Sequence, residues 1–305
     1  MTPSVQATVL IPTHDHGSLL ELAARSALAQ TIEDLELVIV GDGVPEVTRE
    51  VVAELRAGDD RVRFFDNPKG PRHGELHRHT ALQHARGRTV MYLSDDDLWF
   101  PDHVETALAA MGEADLVTSA GLVSSTPGEI TGLRSTDFSS PAIWSRVFAG
   151  RGTVGLSFVA HSVELYRSLP HGWRTTPMGT ATDIYMWQQL LESGATSRFE
   201  TRPTVLQLPS KTREHMTIDA RLAEMRRWAA MIEDPLLRGE LYAMACAVTG
   251  RREMDRLRTE ALRREKQRRA WLASPRGRAS RAMGRFERRL RGSDRSARSS
   301  RRLDR

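Results

Sequence analysis

Cysteine is nearly missing from this chain. Cys246 is the only one in 305 residues. That excludes an intramolecular disulfide and any cysteine-rich zinc site, and it fits a reducing compartment. Long apolar runs are missing too. None approaches the roughly 18 residues that a membrane-spanning helix needs. The opening MTPSVQATVLIP has no basic segment followed by a long apolar core, so a cytoplasmic location is expected rather than a secretory signal. HExxH is absent. His73, His77, His79 and His84 lie close together, but their spacing matches no zinc pattern and reads as a solvated helix face. Aromatics make up only 6%. The tail has few of them for base stacking, and no RNA-binding module is recognisable, so no nucleic-acid partner is expected.

What is present is an ordinary globular composition, 40% hydrophobic and 27% charged, long enough to bury a full core. The formal net charge of +5 conceals two opposite parts. Residues 251–305 hold 21 Lys+Arg against 7 Asp+Glu, whereas residues 1–250 hold 23 against 32. The body is acidic, and attraction to any anionic partner rests on the tail.

The most informative run is Tyr92-Leu93-Ser94-Asp95-Asp96-Asp97-Leu98-Trp99-Phe100-Pro101-Asp102. Three adjacent carboxylates follow the apolar run Val90 to Leu93. This places them at the carboxyl end of a buried strand, where open α/β sheets put their ligand sites. Self-repulsion disfavours such a cluster unless a cation or hydrogen-bond donors compensate it. A hard divalent ion that also bridges phosphate oxygens is the natural partner. The plain alternative is an acidic helix start.

Around this run the chain alternates strands and helices. Strands are expected at 7–12, 35–40, 62–65 and 89–93, with helices at 19–29, 46–55 and 75–85 between them. That order predicts parallel βαβ units and a doubly wound sheet. Further on, strands are expected at 116–119, 156–159 and 204–208 and a helix at 183–192. From Ile218 the chain reads as helical almost to its end, with a break at Ser274-Pro275-Arg276-Gly277 and disorder from Ser293 to Arg305.

The first 102 residues resemble the nucleotide-binding half of family 2 glycosyltransferases of the GT-A fold. Val9 to Asp15 resembles the opening strand and loop, and Ala27-Leu28-Ala29-Gln30-Thr31 the end of the first helix. Val38 to Gly43 resembles the second strand with its D-D-G loop. Arg78 and Ala85-Arg86-Gly87 match the helix ending in A-x-G, and the Asp95–Asp97 run matches the metal motif. Gly41 and Ser94 depart from the pattern, each standing where many members have Asp.

The resemblance implies an α/β GT-A fold, with a Rossmann-like, mostly parallel central sheet flanked by helices and a C-terminal helical extension. The expected organisation is a GT-A domain at 1–215, with a nucleotide-binding half at 1–102 and an acceptor half at 103–215. A helical extension at 216–272 and a basic tail at 273–305 follow. The implied activity is transfer, with inversion, of a sugar from a nucleoside diphosphate sugar (a UDP-sugar by default) to a hydroxyl of a saccharide or lipid-linked acceptor. The pathway would be cell-surface polysaccharide or glycolipid synthesis.

The resemblance also implies roles for residues. Asp42 would accept a hydrogen bond from a base imide, or else merely form the turn before Gly43. Pro12 and His14 would line the base pocket, His14 by stacking. Arg78 would lie near the base and diphosphate, or else be a surface arginine. Asp95 would contact the ribose, and Asp96 would bind Mg2+ or Mn2+. Asp97 would join through water or cap the following helix. His215 would join the metal or remain a loop histidine. Asp183 would be the catalytic base, the alternative being a helix cap.

In the tail, Ala279, Met283, Phe286 and Leu290 form an apolar stripe among arginines. It reads either as an interfacial helix on an anionic membrane surface, which would place the protein on the inner face of the cell membrane, or as a solvated or partner-binding helix. Two other readings are weaker. A sugar-nucleotide pyrophosphorylase needs a Gly-rich basic first loop, and Thr13 to Gly17 is not one. A silent binding or assembly scaffold fits Gly41 and Ser94 but not the retention of Asp42, Asp95, Asp96 and Asp183.

Overall fold

The computed structural model describes residues 5–112, 114–151, 154–276 and 279, without the side chain of residue 272. Two compact units divide the chain, Met1–Thr249 and Gly250–Arg305.

In the first unit the expected alternation is present. It runs β1 (Ala7–Thr13), α1 (Leu19–Leu28), β2 (Leu35–Asp42), α2 (Glu46–Gly58), β3 (Val62–Asn67), α3 (Glu75–Leu82) and β4 (Thr89–Tyr92). β1, β2 and β4 are buried along nearly their whole length. They are therefore continuous apolar runs rather than alternating ones, as parallel strands covered on both faces require. β3, β2, β1 and β4 pair in parallel in that order, so their carboxyl ends share one edge of the sheet.

The second half adds β5 (Leu98–Trp99), α4 (His103–Met111), β6 (Leu116–Val123), β7 (Gly132–Arg134), α5 (Pro141–Phe148), β8 (Val159–Ser162), α6 (Val163–Ser168), α7 (Thr182–Glu192) and β9 (Ser197–Gln207). β8 joins β4 antiparallel, and the sheet continues through β6 and β9 to β5. Helices α8 (Ile218–Glu233) and α9 (Pro235–Ala273) follow.

Two expected strands are corrected. Residues 156–158 form a single buried 3-10 turn, and the strand begins at Val159. The turn has a cause, because Ser157 donates its hydroxyl to Asp97 and its carbonyl accepts from Trp99 Nε1. The strand expected at 204–208 is the end of the longer β9. Its first part carries exposed Arg198, Thr201 and Arg202 and half-buried Glu200, and that polarity hid it from an apolar reading.

Helix α8 is held by its sequence pattern. Thr217 caps it by accepting from Ala220 N, and Met225, Trp228 and Ile232 turn one face into the core. Beside that face, Arg213 donates to Glu224 through Nε and Nη2 at 2.8 and 2.7 Å, with both side chains 2% exposed. Arg213 also donates to the Ser124 carbonyl, and Glu224 accepts from Gly128 N and Trp228 Nε1.

The second unit is described only at residues 250–276 and 279. Its helical part is exposed almost throughout, with ion pairs one turn apart such as Arg264–Glu260 and Arg269–Glu265. Except for Ala279, the expected stripe at 279–290 lies outside the described residues, as does the segment from Ser293. Among the described residues no helix is long and apolar enough to cross a membrane.

A buried pair broken on one side leaves an uncompensated charge. Glu224→Ala is therefore expected to lower unfolding free energy by about 3–5 kcal/mol in denaturant titration. A loss below about 1 kcal/mol, the range of an exposed pair, would contradict this placement of Arg213.

Candidate active site

The loops at the carboxyl ends of β1, β2 and β4, with the start of α7, enclose a cleft of about 560 Å³. Its lining includes Pro12, His14, Asp42, Arg78, Asp95, Asp96 and Asp183. Seven of the nine residues singled out from the sequence thus meet in one place. Asp97 and His215 do not line it.

Asp42 ends β2 and is covered by the loop 67–74. Its Oδ2 accepts from Lys69 Nζ at 2.5 Å and its Oδ1 from Gly70 N at 2.6 Å, with His77 Nε2 3.7 Å away. Burial raises the Asp42 carboxyl, but these donors and charges outweigh it and hold the group below its usual range. The loop can close this tightly because of Gly74. Its φ is +64°, and a Cβ there would lie 2.5 Å from Asp42 Cγ. His14 is exposed and donates Nδ1–H to the Asp42 carbonyl at 2.6 Å. It braces the same corner of the cleft.

Arg78 points into the cleft from α3 and is only 7% exposed. The guanidinium carbon lies 4.8 Å from the Trp173 ring centroid, and one Nη2 bond goes to the His73 carbonyl at 3.2 Å. Its Nε and Nη1 are buried without a hydrogen-bond partner. Such donors cost stability unless something fills their valence. Behind Arg78, Trp173 is fixed by the Tyr92 and Tyr166 hydroxyls at 2.9 and 3.1 Å, and His161 and His79 complete that network. The stacked surface under the guanidinium is therefore rigid.

The three aspartates have three different environments. Asp95 Oδ1 accepts from His16 Nδ1–H at 2.7 Å. Asp96 Oδ2 accepts from Arg221 Nη2 at 2.9 Å and from the Ser210 hydroxyl. Asp97 faces inward and is 2% exposed. Its oxygens accept from Ser157 Oγ at 2.6 Å and Leu208 N at 2.8 Å. Burial and the neighbouring Asp96 charge push its carboxyl up to about 7. Asp97 thus ties the loop after β4 to β9, and both its oxygens are occupied away from the cleft.

His16, Asp95 and Asp96 offer ligand atoms all within 4.8 Å of one another. His215 is exposed and is not in this group. Two residues earlier, Arg213 is buried against Glu224. His16 was not anticipated. Its signal was present, since it stands one residue past Asp15 in the loop after the first strand, at the edge where ligands bind. Burial lowers the His16 pKa, but the Asp95 hydrogen bond and the Asp95 and Asp96 charges lift it to about 9. One imidazole and two carboxylates suit Mn2+ or Mg2+, and the imidazole must shed its proton to ligate.

Asp183 lies in the first turn of α7, but Ala181 occupies the cap position and no side chain caps the helix. Asp183 is therefore not there as a cap. Burial raises its carboxyl above the usual value, while Arg78 and His73 pull it down. Thr182 beside it donates to Glu75 at 3.2 Å, linking this helix start to α3. Arg72, at φ 57°, reaches across the cleft rim from the loop before α3 and donates to the Thr180 carbonyl at 3.1 Å.

A segment of 90 residues is 33% identical to GalNAc(5)-diNAcBac-PP-undecaprenol beta-1,3-glucosyltransferase of Campylobacter jejuni, covering 30% of this chain and 29% of that protein. A segment of 101 residues is 33% identical to chondroitin synthase of Pasteurella multocida, covering 33% of this chain and 10% of that one. The chain therefore spans less than a third of either relative. Among solved structures, S. aureus TarS 1-349 in complex with UDP-GlcNAc superposes with a TM-score of 0.55 at 14% identity, over 80% of this chain and 71% of that one. At that identity the likeness concerns the fold, which is the GT-A arrangement. The model of the family described as "Glycosyl transferase family 2" matches residues 8–167, just over half of the 305 residues, and the chain belongs to that family.

Proposed function

We propose that this chain is an inverting glycosyltransferase. It moves a sugar from a nucleoside diphosphate sugar to a hydroxyl of a saccharide or lipid-linked acceptor. The observation that carries this reading is the division of the cleft. His16, Asp95 and Asp96 form an acidic cluster that could hold a cation, and Arg78 presents two unpaired buried donors. Asp183 lines the same space, with a raised pKa and no capping role.

Each residue then has a task. Asp42, held by Lys69, offers an acceptor, which matches the N–H of an imide base such as uracil. The UDP-GlcNAc bound to TarS makes UDP the default nucleotide. Pro12 and His14 line the same corner. One Asp95 oxygen, held on His16, would turn to the ion, and the other can serve a ribose hydroxyl. His16, Asp95 and Asp96 would hold Mn2+ or Mg2+, which supplies a Lewis acid for the diphosphate. Arg78 donates to the departing diphosphate as its negative charge grows. Asp183 takes the proton of the acceptor hydroxyl as its oxygen attacks the anomeric carbon from the side opposite the leaving group. One displacement of this kind inverts the configuration, through an oxocarbenium-like transition state related to that of glycoside hydrolysis.

A lipid-linked acceptor in cell-surface polysaccharide or glycolipid synthesis is supported by the name of the Campylobacter relative. It is also supported by the net positive charge of residues 251–305, which favours an anionic surface. A cytoplasmic enzyme held on the inner face of the membrane fits both.

Asp183→Asn is expected to lower kcat by about 10²–10⁴-fold while calorimetric nucleotide affinity stays within about threefold of the parent chain. Unchanged turnover would remove Asp183 from the base role. The base must be ionised, and its pKa lies above the ordinary aspartate value, so kcat falls as pH drops through that raised pKa. Arg78 pulls this pKa down. Arg78→Gln should therefore move the acid limb of the kcat profile to higher pH; a limb that stays in place would contradict their coupling. His16→Ala and Asp97→Asn should separate in their effects. The first is expected to weaken Mn2+ binding with little change in melting temperature. The second is expected to lower the melting temperature by disturbing the ties to Ser157 and Leu208. The reverse pattern would exchange their roles.

A further inference from the structure

Arg221 stands where the helix pattern calls for an apolar residue. Met225, Trp228 and Ile232 mark the buried stripe of α8, and Arg221 lies four residues before Met225 on the same stripe. Its side chain is only 10% exposed and meets Asp96 across 125 residues of sequence. The Nη2 group is also 3.3 Å from Ser210 Oγ, and its Nε is buried without a partner. A guanidinium remains charged at any working pH. A permanent cation therefore stands behind Asp96, outside the cleft lining, before any ligand arrives.

That charge acts on the two expected ligands in opposite directions. It attracts a diphosphate. It opposes a divalent ion that must share the Asp96 carboxylate. We propose that Arg221 is a resident counter-charge of the donor site: it takes on part of the neutralisation of the diphosphate and holds down affinity for the free ion. The cleft is thereby set to admit the ion together with nucleotide rather than alone. This rests on the donor-site reading given above. Arg221 is a positioning residue in this scheme, because it acts through Asp96 and through charge.

Separate calorimetric titrations of the full chain with Mn2+ alone and with UDP alone test it, with GDP and dTDP in parallel to find the nucleotide the parent chain binds. Arg221→Gln should bind free Mn2+ about tenfold more tightly and the nucleotide about tenfold more weakly. Arg221→Lys should keep both near the parental values. Arg221→Met, which retains the apolar stem, repeats the comparison should the glutamine variant fail to fold. A purely structural role would weaken both ligands together, and that result would overturn the proposal, as would two unchanged affinities. A parent chain that takes up neither Mn2+ nor any of the three nucleotides, singly or together, removes the donor-site reading and this proposal with it.

Discussion

Three adjacent negative charges at the end of a buried strand are the constraint around which this molecule is arranged. Asp95, Asp96 and Asp97 repel one another in a place with little water, so each needs its own compensation. The partners come from four distant segments. His16 comes from the loop after β1, Ser210 and Arg221 from the loop after β9 and from α8, and Ser157 with Leu208 N from the turn before β8 and the end of β9. The nucleotide-binding half, the second half of the sheet and α8 are thus held against one short run. The Arg213–Glu224 pair fixes α8 in the orientation that brings Arg221 to Asp96.

The cleft is polar, but its charges are sorted. Asp95 and Asp96 stand with His16, while Lys69, Arg72 and His73 come from the loop before α3, Arg78 from α3 and Asp183 from α7. A ligand bearing a diphosphate and bringing a cation matches both sets of charges at once. Rigid supports lie behind each. Glu75, fully buried, accepts from Thr176 N and Thr182 Oγ1, so the start of α7 cannot drift from α3. Preorganisation of this kind lets fixed dipoles and charges act on a developing charge without rearrangement at the moment of reaction.

Much of this was legible in the sequence. The β1–β4 alternation follows from apolar runs that both helical layers bury, and the apolar-to-acidic switch at Leu93–Asp95 marks the site edge. Asp42, Arg78 and Asp183 could be named from the family resemblance, which rests on local motifs. What could not be read is pairing over long distance. Asp97 differs from Asp96 only in which way its carboxylate points, and Ser157 and Leu208, 60 and 111 residues away, decide that. His16 and Arg221 become partners of the aspartates only when the sheet closes. His215 was named by analogy of position; it is exposed and lies outside the His16–Asp95–Asp96 group. The polar first part of β9 and the turn at Leu156–Phe158 escaped for a related reason: hydrogen bonds to other segments set their shape there, and apolar periodicity does not.

The central claim is that the aspartate-lined cleft receives a nucleoside diphosphate with a divalent ion. Calorimetric titration of UDP, GDP and dTDP with Mn2+ present, on the parent chain and on Asp96→Ala, tests it most directly. The account predicts that one of the three binds in the presence of Mn2+ and that this binding is lost in the variant. Binding of none, or binding that Asp96→Ala leaves intact, would contradict it.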